Sequence, residues 1–342
     1  MRVAMYYNNN DVRLEEIPKP KIGPGEVLVR AMACGICGSD VMEWYRIKKA
    51  PRVLGHEMTG EFVEVGVGVK DYQVGDRAFV SHHVPCNTCR YCMTGHHTAC
   101  ETLHTTNFDP GGFAEYIRVP PLQVDRGIYL LPDDMSYEVG TFIEPLACCV
   151  RGQRQAQVKP GDSVFVIGSG ISGILHIMLA RHLGAAGIVA SDISKYRLDA
   201  AKRFGANAVI DAKEEDVPGR LMEFNDGRLA DKVFVCTGAT SASETALKCV
   251  DRGGTILFFA VPEPTINLLV NFNEMWRNEI TLTTSYGASP VDLTTSLELL
   301  RAGNLNVQDM ITHKFALADA GEGFKLVAKA EDSLKVIIEP NR

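Results

Sequence analysis

Cys37 and His56, together with a carboxylate from Glu57 or Glu144, supply a thiolate, an imidazole and an acid. These are the ligand types that hold a zinc ion while leaving one coordination position open. An open position separates a zinc that can polarise a substrate oxygen from one that only braces a fold. A second group, Cys86-x2-Cys89-x2-Cys92-x7-Cys100, puts four thiols in one short stretch. Four thiolates can enclose a tetrahedral ion completely, so this spacing predicts a structural zinc that fixes a lobe lacking its own core. A third motif, Gly168-Ser169-Gly170-Ile171-Ser172-Gly173, is followed by Asp192, the pattern of a dinucleotide-binding turn with its ribose-binding acid.

The surrounding elements have to place these groups. The apolar run Ser163 to Ile167 leads directly into the glycines, and the segment after them has an apolar helix face of Ile171, Ile174, Leu175, Met178 and Leu179. In that strand–turn–helix setting the glycines allow a tight turn and close approach to a pyrophosphate, which the helix N-terminus attracts. Asp192 would accept the ribose hydroxyls and repel a 2′-phosphate, favouring NAD over NADP. The competing reading makes Asp192 the cap of a helix from Lys195, with Lys195 and Arg197 leaving room for a phosphate. Further β-like runs, Gly187 to Ser191, Asn207 to Asp211, Lys232 to Cys236, Thr255 to Ala260 and Glu279 to Thr284, alternate with helical patterns. Such alternation predicts an α/β fold with a doubly wound, six-stranded parallel sheet. Before it, short runs such as Val27 to Ala31, Gly60 to Val65 and Arg77 to Val80 are broken by turn signals, which indicates a compact β-rich domain with the metal ligands on loops. Beyond Gly287 come two helical stretches, Leu293 to Arg301 and Gly321 to Ala330, and a strand-like Lys335 to Ile338. This tail is too small for a domain and is expected to pack back on the N-terminal part. The expected division is 1–150 with 288–342, and 151–287.

A chain of 342 residues, 46% hydrophobic and 23% charged, suits two ordinary globular domains. Its net charge of −7 argues against nucleic acid or an anionic membrane as partner. Arg90 is the only Lys or Arg among the four clustered cysteines, so a nucleic-acid-binding zinc ribbon is disfavoured. The N-terminus lacks a signal-peptide core, and the most apolar stretch, Val164 to Ala190, contains His176, Arg181 and His182. A cytoplasmic protein is expected. Cys34, Cys148, Cys149, Cys236 and Cys249 read as core residues, and His82, His83, His96, His97 and His104 as exposed loop residues.

Cys34-Gly-Ile-Cys-Gly-Ser-Asp40, Gly55-His56-Glu57, the four-cysteine lobe, Gly111-Gly-Phe-Ala-Glu-Tyr116, Ile143-Glu-Pro-Leu146 and the glycine loop together resemble the zinc-dependent medium-chain dehydrogenases. The resemblance runs nearly end to end. It is nearest to the sorbitol (polyol) dehydrogenase branch, with threonine dehydrogenases close by. It implies a GroES-like catalytic domain from both chain ends, a Rossmann domain between them, an active site in the cleft, two zinc ions per chain and NAD. The implied reaction is oxidation of a secondary alcohol to a ketone, with zinc lowering the hydroxyl pKa and hydride passing to nicotinamide. A polyol or sugar alcohol is the first expectation; L-threonine, other amino alcohols and simple secondary alcohols follow.

Residue by residue, the resemblance makes Cys37 and His56 the first two catalytic zinc ligands. It puts Glu144 at the third position and Glu57 where the polyol branch can bind zinc directly. Asp40 would orient the zinc histidine and Ser39 would bond the substrate alcohol. Ile171, Ser172, Arg197, Thr237 and Val261 join the glycine loop and Asp192 in binding the cofactor, while Trp44, Tyr45 and Phe108 fall in segments that line the pocket in relatives, where a loop aromatic is as often packing. Two departures stand out. Met42 occupies the place of a proton-relay histidine, for which Glu43 or a water chain is expected to substitute, and Ala260 replaces a glycine before the nicotinamide segment. A dimer or tetramer joined near Thr281 to Tyr286 is implied. A non-catalytic protein that kept the fold is the rival class.

Overall fold

The computed structural model describes residues 1–342. It falls into two compact units, Met1–Ala147 with Ala288–Arg342, and Cys148–Gly287. In the first unit the strands are β1 (Arg2–Asn8), β2 (Asp11–Glu16), β3 (Val27–Gly35), β4 (Arg52–Val53), β5 (Glu57–Val65), β6 (Arg77–Val80), β7 (Tyr116–Val119) and β8 (Ile128–Leu130). β3 is the axis of this unit and is buried along nearly its whole length, as a central strand covered on both faces must be. It pairs antiparallel with β5 in a register that sets Gly35 opposite Glu57 and Cys34 opposite Met58.

The second unit holds β9 (Ser163–Ile167), β10 (Gly187–Asp192), β11 (Ala208–Asp211), β12 (Ala230–Val235), β13 (Val250–Phe258) and β14 (Thr281–Thr284). They form one parallel sheet in the order β11-β10-β9-β12-β13-β14. That is the dinucleotide-binding order, with its reversal point between β9 and β12. All five residues of β9 are buried, so its unbroken apolar run reflects a strand with helices on both sides. The strand read from the sequence as starting at Thr255 begins at Val250 instead, passing through Arg252-Gly253-Gly254. A register shift against β12 accommodates those residues.

The tail returns to the first unit as β15 (Ile311–Ala316) and β16 (Lys335–Glu339). β16 pairs antiparallel with the end of β3, setting Ile337 opposite Gly35. The helix Ala320–Lys329 is fixed to the N-terminal sheet by Phe324, whose ring lies 5.7 Å from Tyr6 and 5.5 Å from Phe113. The two ends of the chain therefore share one core, and the end of β3 is flanked by β5 on one side and β16 on the other.

Candidate active site and cofactor loop

A single turn aims the Cys37 thiol. Residues Gly38–Val41 form a 3-10 turn capped by Cys37. The Ser39 N–H donates to Cys37 Sγ at 3.4 Å, and the Cys37 N–H donates to Asp40 Oδ2 at 3.1 Å. His56 follows Gly55, whose φ of +93° and tight packing against Cys34 Sγ and the Phe113 backbone admit only glycine. Glu57 opens β5. Ligand atoms of Cys37, His56 and Glu57 all lie within 4.8 Å of one another, close enough for one ion at bond lengths of about 2.0–2.3 Å.

Asp40 is fully buried, and its Oδ1 lies 3.4 Å from His56 Nδ1. That contact leaves the other imidazole nitrogen as the one that would ligate a zinc ion, the usual division of labour in a zinc-binding histidine. Burial pushes the Asp40 carboxyl up, but His56, Arg46 and the Cys37 N–H outweigh it and hold the group below the ordinary carboxylate range. Burial likewise opposes a charge on His56, yet Asp40 and Cys37 raise its pKa well above the ordinary value. The pocket is electrostatically set to hold a cation.

The two carboxylates read from the sequence part company. Glu57 joins Cys37 and His56, whereas Glu144, in the first turn of the helix Ile143–Gln155, lies outside that group. Glu57 is also ion-paired with Lys335 of β16, both side chains being essentially inaccessible. The Lys335 ammonium stands 4.9 Å over the Phe142 ring. Gly35 leaves the room this pair needs, since a Cβ there would overlap both Glu57 Oε2 and Lys335 Nζ. Lys335 was missed in the sequence; the one signal was a lysine opening an otherwise apolar strand.

Ser39 Oγ accepts a hydrogen bond from Arg46 Nη2 at 3.0 Å, and Arg46 Nε donates to the Ser39 carbonyl at 2.8 Å. Glu43, which with a water chain is the expected replacement for a relay histidine at Met42, accepts the Asn9 N–H at 3.4 Å and is exposed. The Ser39 hydroxyl is thus backed by a donor that cannot take a proton. Phe108 is 2% exposed and belongs to the domain core rather than a pocket wall. Tyr45 is on the surface and Trp44 is half-buried. His82 and His83, read as exposed, are half-buried, with their rings tilted by 34° and 3.8 Å apart, and His82 lies 4.8 Å from His56. Burial and the neighbouring His56, His104, Arg46 and Lys49 hold the His83 pKa down to about 3.

The thiols of Cys86, Cys89, Cys92 and Cys100 form the second ligand group. Around them only Cys92, Cys100 and Leu103 make a buried apolar cluster, so the lobe has almost no core of its own. Hydrogen bonds from Thr88 and from the Cys89 N–H pull the Cys86 thiol down to about 5, toward the thiolate a metal requires.

In the second unit Gly168 has φ +93°, and a Cβ on Gly173 would overlap the Gly168 carbonyl. The loop is therefore closed to larger residues, as a phosphate cradle must be. Gly170 caps the helix Ile171–His182, and a Cβ added to it would lie 3.8 Å from the Arg197 guanidinium. Asp192 Oδ2 accepts the Ser169 N–H at 2.7 Å, while Oδ1 accepts those of Ile193 and Ser194 at 2.8 and 2.9 Å. Ser194, not Asp192, caps the helix from Lys195. Thr237 Oγ1 accepts the Ala239 N–H at 3.4 Å, and Val261 is half exposed.

The alcohol dehydrogenase GroES-like domain model matches residues 23–129, and the zinc-binding dehydrogenase model matches 172–302. Sorbitol dehydrogenase of Gallus gallus is 32% identical over 98% of this chain and 95% of its own. L-threonine 3-dehydrogenase of Pyrococcus furiosus is 33% identical over 95% and 94%. The chain belongs to the zinc-binding alcohol dehydrogenase family. A zinc-binding dehydrogenase from Sinorhizobium meliloti 1021, solved with NADP bound, superposes on this dehydrogenase with a TM-score of 0.89 at 26% identity over 99% of both chains. The two sets of zinc-type donors and the glycine cradle match what the family binds, zinc and a nicotinamide dinucleotide.

Proposed function

We propose that this dehydrogenase oxidises a secondary alcohol, a polyol or sugar alcohol, to the ketone with NAD. The reading rests above all on Ser39: its hydroxyl lies two positions from Cys37 on the turn that also aims Asp40 at His56. Cys37 and His56 would hold the catalytic zinc with Glu57 as the available carboxylate, and Cys86, Cys89, Cys92 and Cys100 would hold the structural one. When bound, zinc supplies a Lewis acid for the alcohol oxygen and the dinucleotide supplies the hydride acceptor.

The chain's own groups do the rest. Arg46 donates to Ser39 Oγ, which leaves the Ser39 proton to bond the substrate oxygen and to stabilise negative charge developing there. Asp40 fixes the His56 ring. The glycine loop and the Ile171–His182 helix N-terminus would bind pyrophosphate, and the Asp192 carboxylate at the end of β10 would accept the ribose hydroxyls and disfavour a 2′-phosphate. On this reading residues 1–150 and 288–342 are the catalytic domain and 151–287 the cofactor domain. A cytoplasmic setting fits thiols grouped for metal rather than for disulfides, and no helix is long and apolar enough to cross a membrane.

The amino-alcohol reading draws on the similarity to the threonine dehydrogenase. A screen of polyols, inositols, L-threonine and small secondary alcohols with NAD and NADP, followed at the nicotinamide absorbance, separates the two. Polyol-dependent NADH formation is expected. Turnover of L-threonine alone, or a clear NADP preference, would overturn the corresponding assignment.

A further inference from the structure

Lys335 is the only lysine among the buried residues of the chain, and it opens β16, whose next three positions are apolar and equally buried. An ammonium in such surroundings is strongly unfavourable unless it is paired. Its one carboxylate partner is Glu57, and the buried Phe142 ring, 4.9 Å away, adds a cation–π contact. Three strands bring the two charges together. Gly35 of β3 lies opposite Glu57 of β5 on one side and opposite Ile337 of β16 on the other. A side chain at Gly35 would fill the space in which carboxylate and ammonium meet.

Glu57 answers to a second group as well. A ligand oxygen of the same carboxylate lies within 4.8 Å of the donor atoms of Cys37 and His56. The contact with Lys335 is made through Oε2, which leaves Oε1 for another partner. An ammonium is a compact point charge and needs only one of the two oxygens. A divalent ion held by Cys37 and His56 would therefore find a third ligand that is already half engaged, with a positive charge fixed behind it.

We infer that Lys335 is a positioning residue of the candidate active site, sharing the Glu57 carboxylate with the bound metal and so keeping Glu57 a weak, displaceable ligand. The inference deepens the proposed function and rests on its placing of zinc at Cys37 and His56. Without the ammonium, Glu57 would be a buried charge whose remaining countercharge is the ion, and it would close the position that a substrate oxygen needs.

The test reads metal binding directly. With the four-cysteine lobe kept loaded with zinc, cobalt(II) is titrated into the Cys37 site against a competing chelator, following the thiolate-to-cobalt absorption. Lys335→Met should bind cobalt about 10-fold or more tightly than the native protein, with the visible ligand-field bands shifted as the carboxylate joins. Lys335→Arg should act in the opposite sense, because a guanidinium takes both carboxylate oxygens in a fork and withholds Glu57 more firmly. In a Glu57→Gln background the gain from Lys335→Met should vanish. A gain that persists without the Glu57 carboxylate is plain charge repulsion, and unchanged affinity and bands in both single variants mean that Lys335 only braces the fold; either result overturns the inference. Should Lys335→Met fail to fold, Lys335→Arg decides, and an affinity no lower than native ends the inference. If cobalt gives no thiolate band in the native protein, or one that survives Cys37→Ser, the zinc reading itself fails and takes the inference with it.

Discussion

Asp40 receives His56, Arg46 and the Cys37 N–H on one buried carboxylate, so its charge orders the zinc ligands and the Ser39 turn together. Asp40→Asn keeps the size and removes the charge. Zinc affinity at the Cys37 site is expected to fall about 10- to 100-fold, measured by competition with a chromogenic chelator; native-like retention would refute the role. Glu57 and Lys335 present a related case. Lys335→Met leaves a buried carboxylate without its cation, which should destabilise the metal-free protein by about 3–5 kcal/mol. If Glu57 is a zinc ligand, loading zinc gives that carboxylate a new partner, so the metal should raise the urea midpoint of Lys335→Met more than that of the native protein. Equal shifts would leave Glu57 outside the coordination sphere.

At the scale of elements, the helix Ile171–His182 docks on its sheet partly through His176, buried between Phe234 at 4.9 Å and Phe259 at 4.6 Å. Burial lowers the His176 pKa from 6.5 to about 3. Between those values the unfolded chain takes up a proton that the native one excludes, so stability is full above about pH 6.5 and is lost as pH falls toward 3. At pH 5 the loss from this group is about 2 kcal/mol relative to neutral pH. Urea midpoints at pH 7.5 and 5.0 should converge in His176→Leu by that amount, and an unchanged pH difference would show that another group carries it. β9 was legible because it is a short, fully buried apolar run after a turn, the start of β13 was not because its Asp251-Arg252-Gly253-Gly254 stretch reads as a turn, and the glycine loop was legible because its steric demands are local. Local sequence also gave Cys37, His56 and the four-cysteine lobe. It could not give Lys335, 278 positions from Glu57, nor the Arg46–Ser39 bond, since one arginine in a charged stretch looks like a solvated face. Phe108 shows the same limit from the other side: an aromatic in a loop reads as pocket wall or as packing, and only the fold makes it core.

The largest scale concerns how copies of the chain meet. In the six-stranded sheet β14 is an edge, paired only with β13, and edges of this kind are open to pairing with another chain. Just before it, Leu269, Phe272 and Trp276 are 94%, 79% and 77% exposed, an apolar concentration that soluble monomers seldom display. We expect β14 and the helix Phe272–Arg277 to meet their counterparts in a second copy, extending the sheet and covering these side chains about a two-fold axis. Because such a contact would be isologous, one substitution would disturb it twice. Trp276→Glu should therefore bring two like charges together and shift light-scattering mass from an oligomer toward 37.4 kDa, with the far-ultraviolet spectrum unchanged. A native protein that already runs as a monomer at micromolar concentration, or an oligomer untouched by Trp276→Glu, would move the interface elsewhere or remove it.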